Sequence, residues 1–265
     1  MAMLTTTPHV RDVGTGEALL LLHAFPLNGA MWQAQIDAFC SHYRLIVPDL
    51  PGFGASTLAV DSYTLDDVAD WLIEILDERD LKQVIVVSIS MGAYIAFALQ
   101  RRYPERLKAL ILANTFIGPD SPEMRQKREE ISRIAEQQGA TAVANRILGL
   151  LVPPHAPATT IAMLRVIIEN NDGKGIAAAE RALAARPDVS QTLSSITVPT
   201  LIISGTDDRI ASPEDVKRMA ALIPNCQVVE IAHAGHISNQ DEPIAFNHAL
   251  QSFLERIDVR TKQLT

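Results

Sequence analysis

Short apolar runs and amphipathic segments alternate along most of the chain. These mostly apolar runs lie at residues 18–22, 45–48, 84–87, 110–113, 201–204 and 227–231. A run that is apolar at every position is typical of a strand buried on both faces, as in the interior of a parallel sheet. Apolar residues recur with helical spacing at 65–79, 91–103 and 213–222. The alternation predicts an α/β fold with a mainly parallel sheet of about seven to eight strands and helices on both faces.

Between residues 119 and 195 the pattern is helical only. Asp120, Ser121 and Pro122 favour a helix start, and Gly139 favours a stop. Further helices are indicated at 140–152, 159–170 and 175–186. A single crossover between parallel strands needs fewer helices than this. We therefore predict a helical cap at 119–195, inserted into a core of residues 1–118 and 196–265. The alternative is that these helices only cover the sheet, as the other helices do.

Segment 84–94 has the most distinctive local pattern, since an apolar strand ends at serines and a helix begins at once. In such a strand-to-helix turn a central nucleophile is exposed above the sheet, and the residues two positions away on either side are small. Ser90 has Ser88 and Gly92 as these neighbours. Ser88, the alternative, would have the β-branched Val86 on one side. The pattern favours Ser90 as the nucleophile.

A serine hydroxyl needs an adjacent base to react near neutral pH. His233 and His236 follow the predicted strand 227–231, at the sheet edge where ligand chemistry collects in open α/β folds. Gly235 permits a close turn before His236, so we predict His236 as the base and His233 as a structural neighbour. Surface or capping roles are expected for the remaining candidates, His9, His42, His155 and His248.

The base needs a carboxylate that holds one tautomer and stabilises the imidazolium. Asp207 and Asp208 both follow the predicted strand 201–204, and either gives the chain order Ser, Asp, His that a fold of this kind uses. Spacing alone does not separate these two aspartates.

Ester chemistry also requires two backbone N–H groups that stabilise an oxyanion. Met91, the residue after the nucleophile, is predicted to supply one. The loop after the strand 18–22 is predicted to supply the other from Phe25, because Pro26 has no N–H. His23 is expected to support this loop by hydrogen bonding, without transferring a proton.

Composition and charge exclude several classes of function. The chain has 265 residues, 48% of them hydrophobic, and a formal net charge of −8, which disfavours nucleic acid as a partner. It has neither an apolar run long enough for a membrane span nor the basic start typical of a signal peptide. Cys40 and Cys226 fit no zinc site and suggest a reducing compartment. We expect a cytoplasmic protein that uses no metal and no cofactor.

Five segments together resemble the α/β-hydrolase superfamily over nearly the whole chain. They are His-Ala-Phe-Pro at 23–26, Asp-Leu-Pro-Gly-Phe-Gly-Ala-Ser at 49–56, Ser-Ile-Ser-Met-Gly at 88–92, Gly-Thr-Asp-Asp at 205–208 and Gly-His at 235–236. The resemblance implies that the acid is Asp208, three residues after Gly205, and that the base is His236. Ser88 and Ala24 stand where the family usually has glycine. The chain looks most like small bacterial esterases and 3-oxoadipate enol-lactonase-like hydrolases, which carry a helical cap of this size.

The residues and the resemblance together predict a serine hydrolase that cleaves small carboxylic esters or lactones through an acyl-enzyme, as a monomer or homodimer. Candidate substrate contacts are Phe25, Arg146, Leu151 and Ile237, and an arginine in the predicted cap would suit a substrate carboxylate. Alternatives of the same fold are a cofactor-free perhydrolase (haloperoxidase type) and a carbon–carbon bond hydrolase. A ligand-binding receptor with a hydrolase fold is the alternative from another class.

Overall fold

The computed structural model describes residue 4 and residues 6–264, with side chains described up to residue 257. Within these residues, seven strands form one sheet in the order β1-β3-β2-β4-β5-β6-β7. Their bounds are β1 Val10–Val13, β2 Glu17–Leu22, β3 Tyr43–Pro48, β4 Val84–Ile89, β5 Leu107–Ala113, β6 Thr200–Gly205 and β7 Cys226–Ile231. Neighbouring strands from β3 to β7 pair in parallel, whereas β1 pairs with β3 antiparallel. The predicted fold class is confirmed.

Strand β1 was not predicted from the sequence. Its residues Val-Arg-Asp-Val include exposed and half-exposed positions, and it lies at the edge of the sheet. An edge strand of this kind has no continuous apolar run. The six predicted strands are present, and the structure extends each of them by one to three residues.

Nine α-helices accompany the sheet in the described part of the chain. They are α1 Gln33–Phe39, α2 Leu65–Asp77, α3 Met91–Arg102, α4 Pro122–Leu151, α5 Ala158–Glu169, α6 Gly173–Ala184, α7 Pro213–Leu222, α8 Ser238–Asp241 and α9 Pro243–Leu264. Successive strand residues face opposite apolar layers. Leu20 and Leu22 pack with α2 and α3, whereas Leu19 and Leu21 pack with α1 and α9. This explains why β2 is apolar at every position after Glu17.

Helices α4, α5 and α6 lie between β5 and β6 in the chain, in the region predicted to be a cap. Gly139, the predicted helix stop, has a φ of 78° and a ψ of −178°, so that a kink there divides α4 into two helical segments, as predicted. Helix α4 packs against both α5 and α6. The division into a core and a cap stays a prediction.

Helix α6 contacts the loop after β3 through two glycines. A Cβ atom on Gly175 would lie 1.9 Å from the carbonyl oxygen of Gly52. This close approach of two backbones holds the start of α6 against the sheet domain, and it leaves no room for a side chain.

None of the helices in the described part of the chain combines the length and the apolarity that crossing a bilayer requires.

Replacing Gly175 by alanine tests the close contact between Gly175 and Gly52. We expect Gly175→Ala to lower the free energy of unfolding by about 1–3 kcal/mol, because the added methyl group forces the two backbones apart. Gly149→Ala is the matched control, since no atom lies within 4 Å of its added Cβ in the exposed last turns of α4. There we expect a gain of up to about 1 kcal/mol from helix propensity. Equal stability of Gly175→Ala and the wild type in urea denaturation would contradict this packing.

Candidate active site

Ser90 occupies the turn between β4 and α3 in a strained conformation. Its φ of 53° and ψ of −112° are unusual for a residue with a side chain. Gly92 permits this tight turn, because a Cβ there would lie 2.4 Å from the carbonyl oxygen of Leu22. Ser88 is fully buried, and its hydroxyl donates a hydrogen bond of 2.7 Å to the carbonyl oxygen of Ile111. Of the two serines, Ser90 is therefore the one available to a ligand.

Three predicted side chains form one hydrogen-bonded series. The Ser90 Oγ lies 2.8 Å from His236 Nε2, and His236 Nδ1 lies 3.0 and 2.9 Å from the two oxygens of Asp208. An ionised carboxylate only accepts hydrogen bonds, so Nδ1 carries the proton in the neutral imidazole. The unprotonated Nε2 then accepts the hydrogen bond from Ser90. This is the arrangement that turns a serine hydroxyl into a nucleophile.

The Asp208 carboxylate is stabilised as an anion. Burial alone would raise its pKa, but His236 and the N–H groups of Ile210 and Ala211, at 2.8 and 3.1 Å, outweigh burial. The pKa of Asp208 therefore lies below its ordinary value. Asp207, the alternative acid, is half-exposed, and its side chain points away from this series, toward His155 at 3.9 Å.

Asn114 supports the site and was missed in the sequence analysis. It follows β5 directly, is fully buried and has a positive φ of 48°. Its side-chain amide donates to Asp208 Oδ2 at 3.1 Å and to the carbonyl oxygen of Gly235 at 3.0 Å. It therefore joins the loop of the acid to the loop of the imidazole. Its position directly after a buried parallel strand is the signal that would have identified it.

The loop of His236 is fixed by the end of α4. The N–H of His236 donates to the carbonyl oxygen of Leu151 at 3.0 Å, and a Cβ on Gly235 would lie 2.9 Å from the backbone nitrogen of Pro153. A glycine is thus needed at position 235 because Pro153 lies too close for a side chain. The expected reason was a close turn before His236. On the other side, Asp241 Oδ2 accepts from the N–H of Gly235 at 2.8 Å.

Phe25 and Met91 lie beside Ser90 in the wall of the same cavity. Within the described residues, neither backbone N–H has a hydrogen-bond acceptor in the protein. The supporting hydrogen bonds expected of His23 are present, since its Nε2 accepts from the N–H of Leu50 at 3.0 Å and its Nδ1 lies 3.1 Å from the Ala24 oxygen. Burial lowers the pKa of His23 to about 4, so this ring is neutral at ordinary pH.

The cavity next to Ser90 has a volume of about 600 Å³. Its apolar wall includes Phe25, Tyr94, Phe116, Ile131, Ile147 and Leu151. Its charged lining consists of Lys127, Arg128, Glu130, Arg146, Glu180 and Arg209. Three of the four expected substrate contacts, Phe25, Arg146 and Leu151, therefore face the cavity.

The expectation for Ile237 has to be corrected. Its side chain is fully buried in the apolar layer formed with α1 and α9, and it does not line the cavity. The chain turns after His236, so that the next side chain points to the opposite side of the loop.

Arg128 and Glu180 line the cavity and belong to a largely buried group of charges that also includes Asp120 and Arg186. Arg128 contacts Asp120, and its guanidinium lies 2.8 Å from Glu180. Arg186 lies 2.7 Å from Asp120 and stacks over the ring of Tyr94 at 4.4 Å. Burial raises the pKa of Glu180 to about 7, although Arg128 acts against it. Burial alone would raise the pKa of Asp120, but Arg186 and Arg128 hold it below its ordinary value, so Asp120 supplies the negative charge beside Arg128.

The sequence model of the α/β hydrolase fold matches residues 17–243, which is most of the chain. The chain belongs to the α/β-hydrolase family. This α/β hydrolase is 30% identical to 3-oxoadipate enol-lactonase 2 of Acinetobacter baylyi over 244 residues, which cover 91% of this chain and 90% of the relative. It is also 30% identical to (E)-2-((N-methylformamido)methylene)succinate hydrolase of the same organism, with 94% of each chain covered.

Among solved structures, the α/β hydrolase is similar to a thermophilic esterase from Thermogutta terrifontis with malate bound. The TM-score is 0.92 and the identity 33%, with 96% of this chain and 97% of the other covered. The predicted resemblance is confirmed, and the chain is a member of a hydrolase family.

Asp241 gives this α/β hydrolase a pH-dependent element of stability next to His236. Burial raises the pKa of Asp241 from 3.8 to about 6. The contribution of Asp241 to the free energy of unfolding is therefore fully present below pH 4, and it is lost as the pH rises through about 6. Asp241→Asn does not titrate, so its stability relative to the wild type is expected to increase between about pH 4 and about pH 7. Urea denaturation across this range measures the difference, and a difference that does not change with pH contradicts the account.

Proposed function

We propose that this α/β hydrolase cleaves carboxylic esters or lactones of small molecules through an acyl-enzyme on Ser90. The contact of 2.8 Å between Ser90 Oγ and His236 Nε2 is the observation that carries this proposal. The strained backbone of Ser90 supports it, because strain of this kind is found where a nucleophile is held ready for reaction.

In the first step, Ser90 Oγ attacks the carbonyl carbon of the substrate while its proton passes to His236 Nε2. The carbonyl oxygen becomes an oxyanion that accepts hydrogen bonds from the N–H groups of Phe25 and Met91. Met91 is the first residue of α3, so the positive end of that helix also favours the anion. The tetrahedral intermediate then expels the alkoxide, which takes the proton from His236 and leaves an ester on Ser90.

In the second step, water attacks the acyl-enzyme and gives a proton to His236 Nε2. The second tetrahedral intermediate breaks its bond to Ser90 Oγ, which recovers the proton from the imidazolium. Asp208 stabilises the imidazolium in both steps without taking its proton. For a lactone the alcohol stays attached to the acyl group, and one hydroxy acid is released.

We infer that helices α4, α5 and α6 act as a cap over the reacting atoms. Support comes from Ile131, Ile147 and Leu151, which α4 contributes to the cavity wall. A volume of about 600 Å³ suits a small-molecule substrate.

The charges of the cavity favour a substrate that carries a carboxylate. Arg128 contacts the ionised Asp120, and Arg146 lies 2.9 Å from Glu130. Arg209 donates to the carbonyl oxygens of Gly149 and Val152 and has no carboxylate partner in the described part of the chain. Its charge is therefore free to attract an anion. The names of two relatives contain oxoadipate and succinate, and the similar esterase was solved with malate bound.

Hydrolysis of p-nitrophenyl acetate tests the nucleophile. We expect Ser90→Ala to lower kcat by roughly 10⁴-fold or more, because no other group takes over the attack. Ser88→Ala is the matched control, since this nearby hydroxyl is buried and bonded to Ile111. It should keep activity within about 10-fold of the wild type. Equal rates for Ser90→Ala and the wild type would refute the acyl-enzyme on Ser90.

Ionic strength tests the preference for an anionic substrate. We expect kcat/KM to be higher for the mono-p-nitrophenyl ester of succinate than for p-nitrophenyl acetate. Salt should lower the first value and leave the second nearly unchanged, because ions screen the attraction between the carboxylate and the cavity. Preference for the neutral ester at every salt concentration speaks against this substrate class.

A further inference from the structure

A second group of potential ligand side chains lies outside the cavity. His155 follows α4, Asp207 follows β6 and His233 follows β7, so three separate segments contribute one residue each. One ligand atom from each of them lies within 4.8 Å of the others. Neither His155 nor His233 takes part in the hydrogen-bonded series of Ser90, and the steps proposed above do not use them.

The tautomer of His155 leaves an unprotonated nitrogen facing a carboxylate. His155 Nε2 lies 3.1 Å from the carbonyl oxygen of His233, and a carbonyl only accepts, so Nε2 carries the proton. In the neutral ring, Nδ1 then presents a lone pair, and it lies 3.9 Å from Asp207 Oδ2. Two acceptors that face each other repel unless a proton, a water molecule or a metal ion lies between them, so this space can take up a cation. A hydrogen bond from the other ring nitrogen to a carbonyl is also how a histidine bound to a metal is commonly oriented.

The two loops that carry Asp207 and His233 are fixed to each other. The N–H of Asp207 donates to the carbonyl oxygen of Ala234 at 2.9 Å, and the N–H of His233 donates to Thr206 Oγ1 at 3.0 Å. His233 has a positive φ of 64°, which is uncommon for a residue with a side chain. Its ring packs edge-on against His155, with centroids 5.9 Å apart. The three side chains are thus brought together by the backbone before any ion binds.

We propose that His155 Nδ1, a carboxylate oxygen of Asp207 and a ring nitrogen of His233 bind one divalent transition-metal ion of the Zn²⁺ type. Two imidazoles and one carboxylate suit this ion, and water completes a tetrahedral shell. Ligand atoms around tetrahedral zinc lie roughly 3.4 Å apart, given metal–ligand distances near 2.1 Å. Rotation of the two exposed imidazoles and the half-exposed carboxylate closes the remaining gap.

Binding at this site joins the turn after α4 to the two loops that carry Asp208 and His236. The site is exposed and lies outside the lining of the cavity, so its ion acts on structure and does not contact the substrate. It stabilises the folded chain in proportion to its occupancy. The inference is independent of the reaction at Ser90.

Calorimetric titration of the untagged full chain with Zn²⁺ tests the site directly. We expect one saturable site whose affinity falls at least about 10-fold in each of His155→Ala, Asp207→Asn and His233→Ala, because loss of a ligand costs no less than loss of its supporting hydrogen bond. His42→Ala and His248→Ala are the matched controls, since both histidines are exposed and lie outside the cluster. Both should bind Zn²⁺ as the wild type does.

Thermal unfolding gives a second readout that does not depend on activity. Zn²⁺ is expected to raise the Tm of the wild type and of both controls, and to raise the Tm of His155→Ala by clearly less at the same Zn²⁺ concentration. Absence of saturable binding up to about 1 mM Zn²⁺ would overturn the proposal. Equal affinity in the three cluster variants and the controls would also overturn it, by placing the ion elsewhere.

Discussion

The parallel pairing of β4, β5, β6 and β7 is the constraint on which the candidate active site depends. Ile89 pairs with Ala113, Ala113 with Ile203, and Ile203 with Val229, so the carboxyl ends of four strands meet at one edge of the sheet. Side chains that are separated by up to 146 residues in the chain thereby come within hydrogen-bond distance. A shift of one strand by two residues, about 7 Å, would separate the hydroxyl from the imidazole.

Hydrogen bonds between the loops add the precision that the sheet alone does not give. Asn114 holds the loop of Asp208 to the loop of His236, and the end of α4 holds the N–H of His236. Both oxygens of the buried Asp208 carboxylate are satisfied, which offsets the cost of burying this charge. The same contact between α4 and the loop of His236 brings the apolar wall of the cavity over Ser90. The wall of the cavity and the position of the His236 imidazole thus rest on one set of contacts.

The sequence predicted the features that follow from local pattern. Continuous apolar runs indicated the inner strands, and the small residues around Ser90 indicated the turn that the structure shows. Features that depend on tertiary contact were not predictable: β1 is half-exposed, so its pattern resembles a loop, and Ile237 turns into the core although it follows a residue of the cavity. The ion pairs of Arg128 bring together residues from different helices and a loop, and no spacing in the chain signals them. The position of Asn114 directly after an apolar run is a signal in the sequence, but the two partners of its amide become visible only once the strands are aligned.

Labelling with a fluorophosphonate, followed by mass analysis of the modified peptide, tests the central claim most directly. A serine reacts with this reagent only when a neighbouring base has activated its hydroxyl. The account predicts a single adduct on Ser90 in the wild type and little or none in His236→Ala, whose serine lacks its acceptor. An adduct on Ser88, or undiminished labelling of Ser90 in His236→Ala, would contradict it.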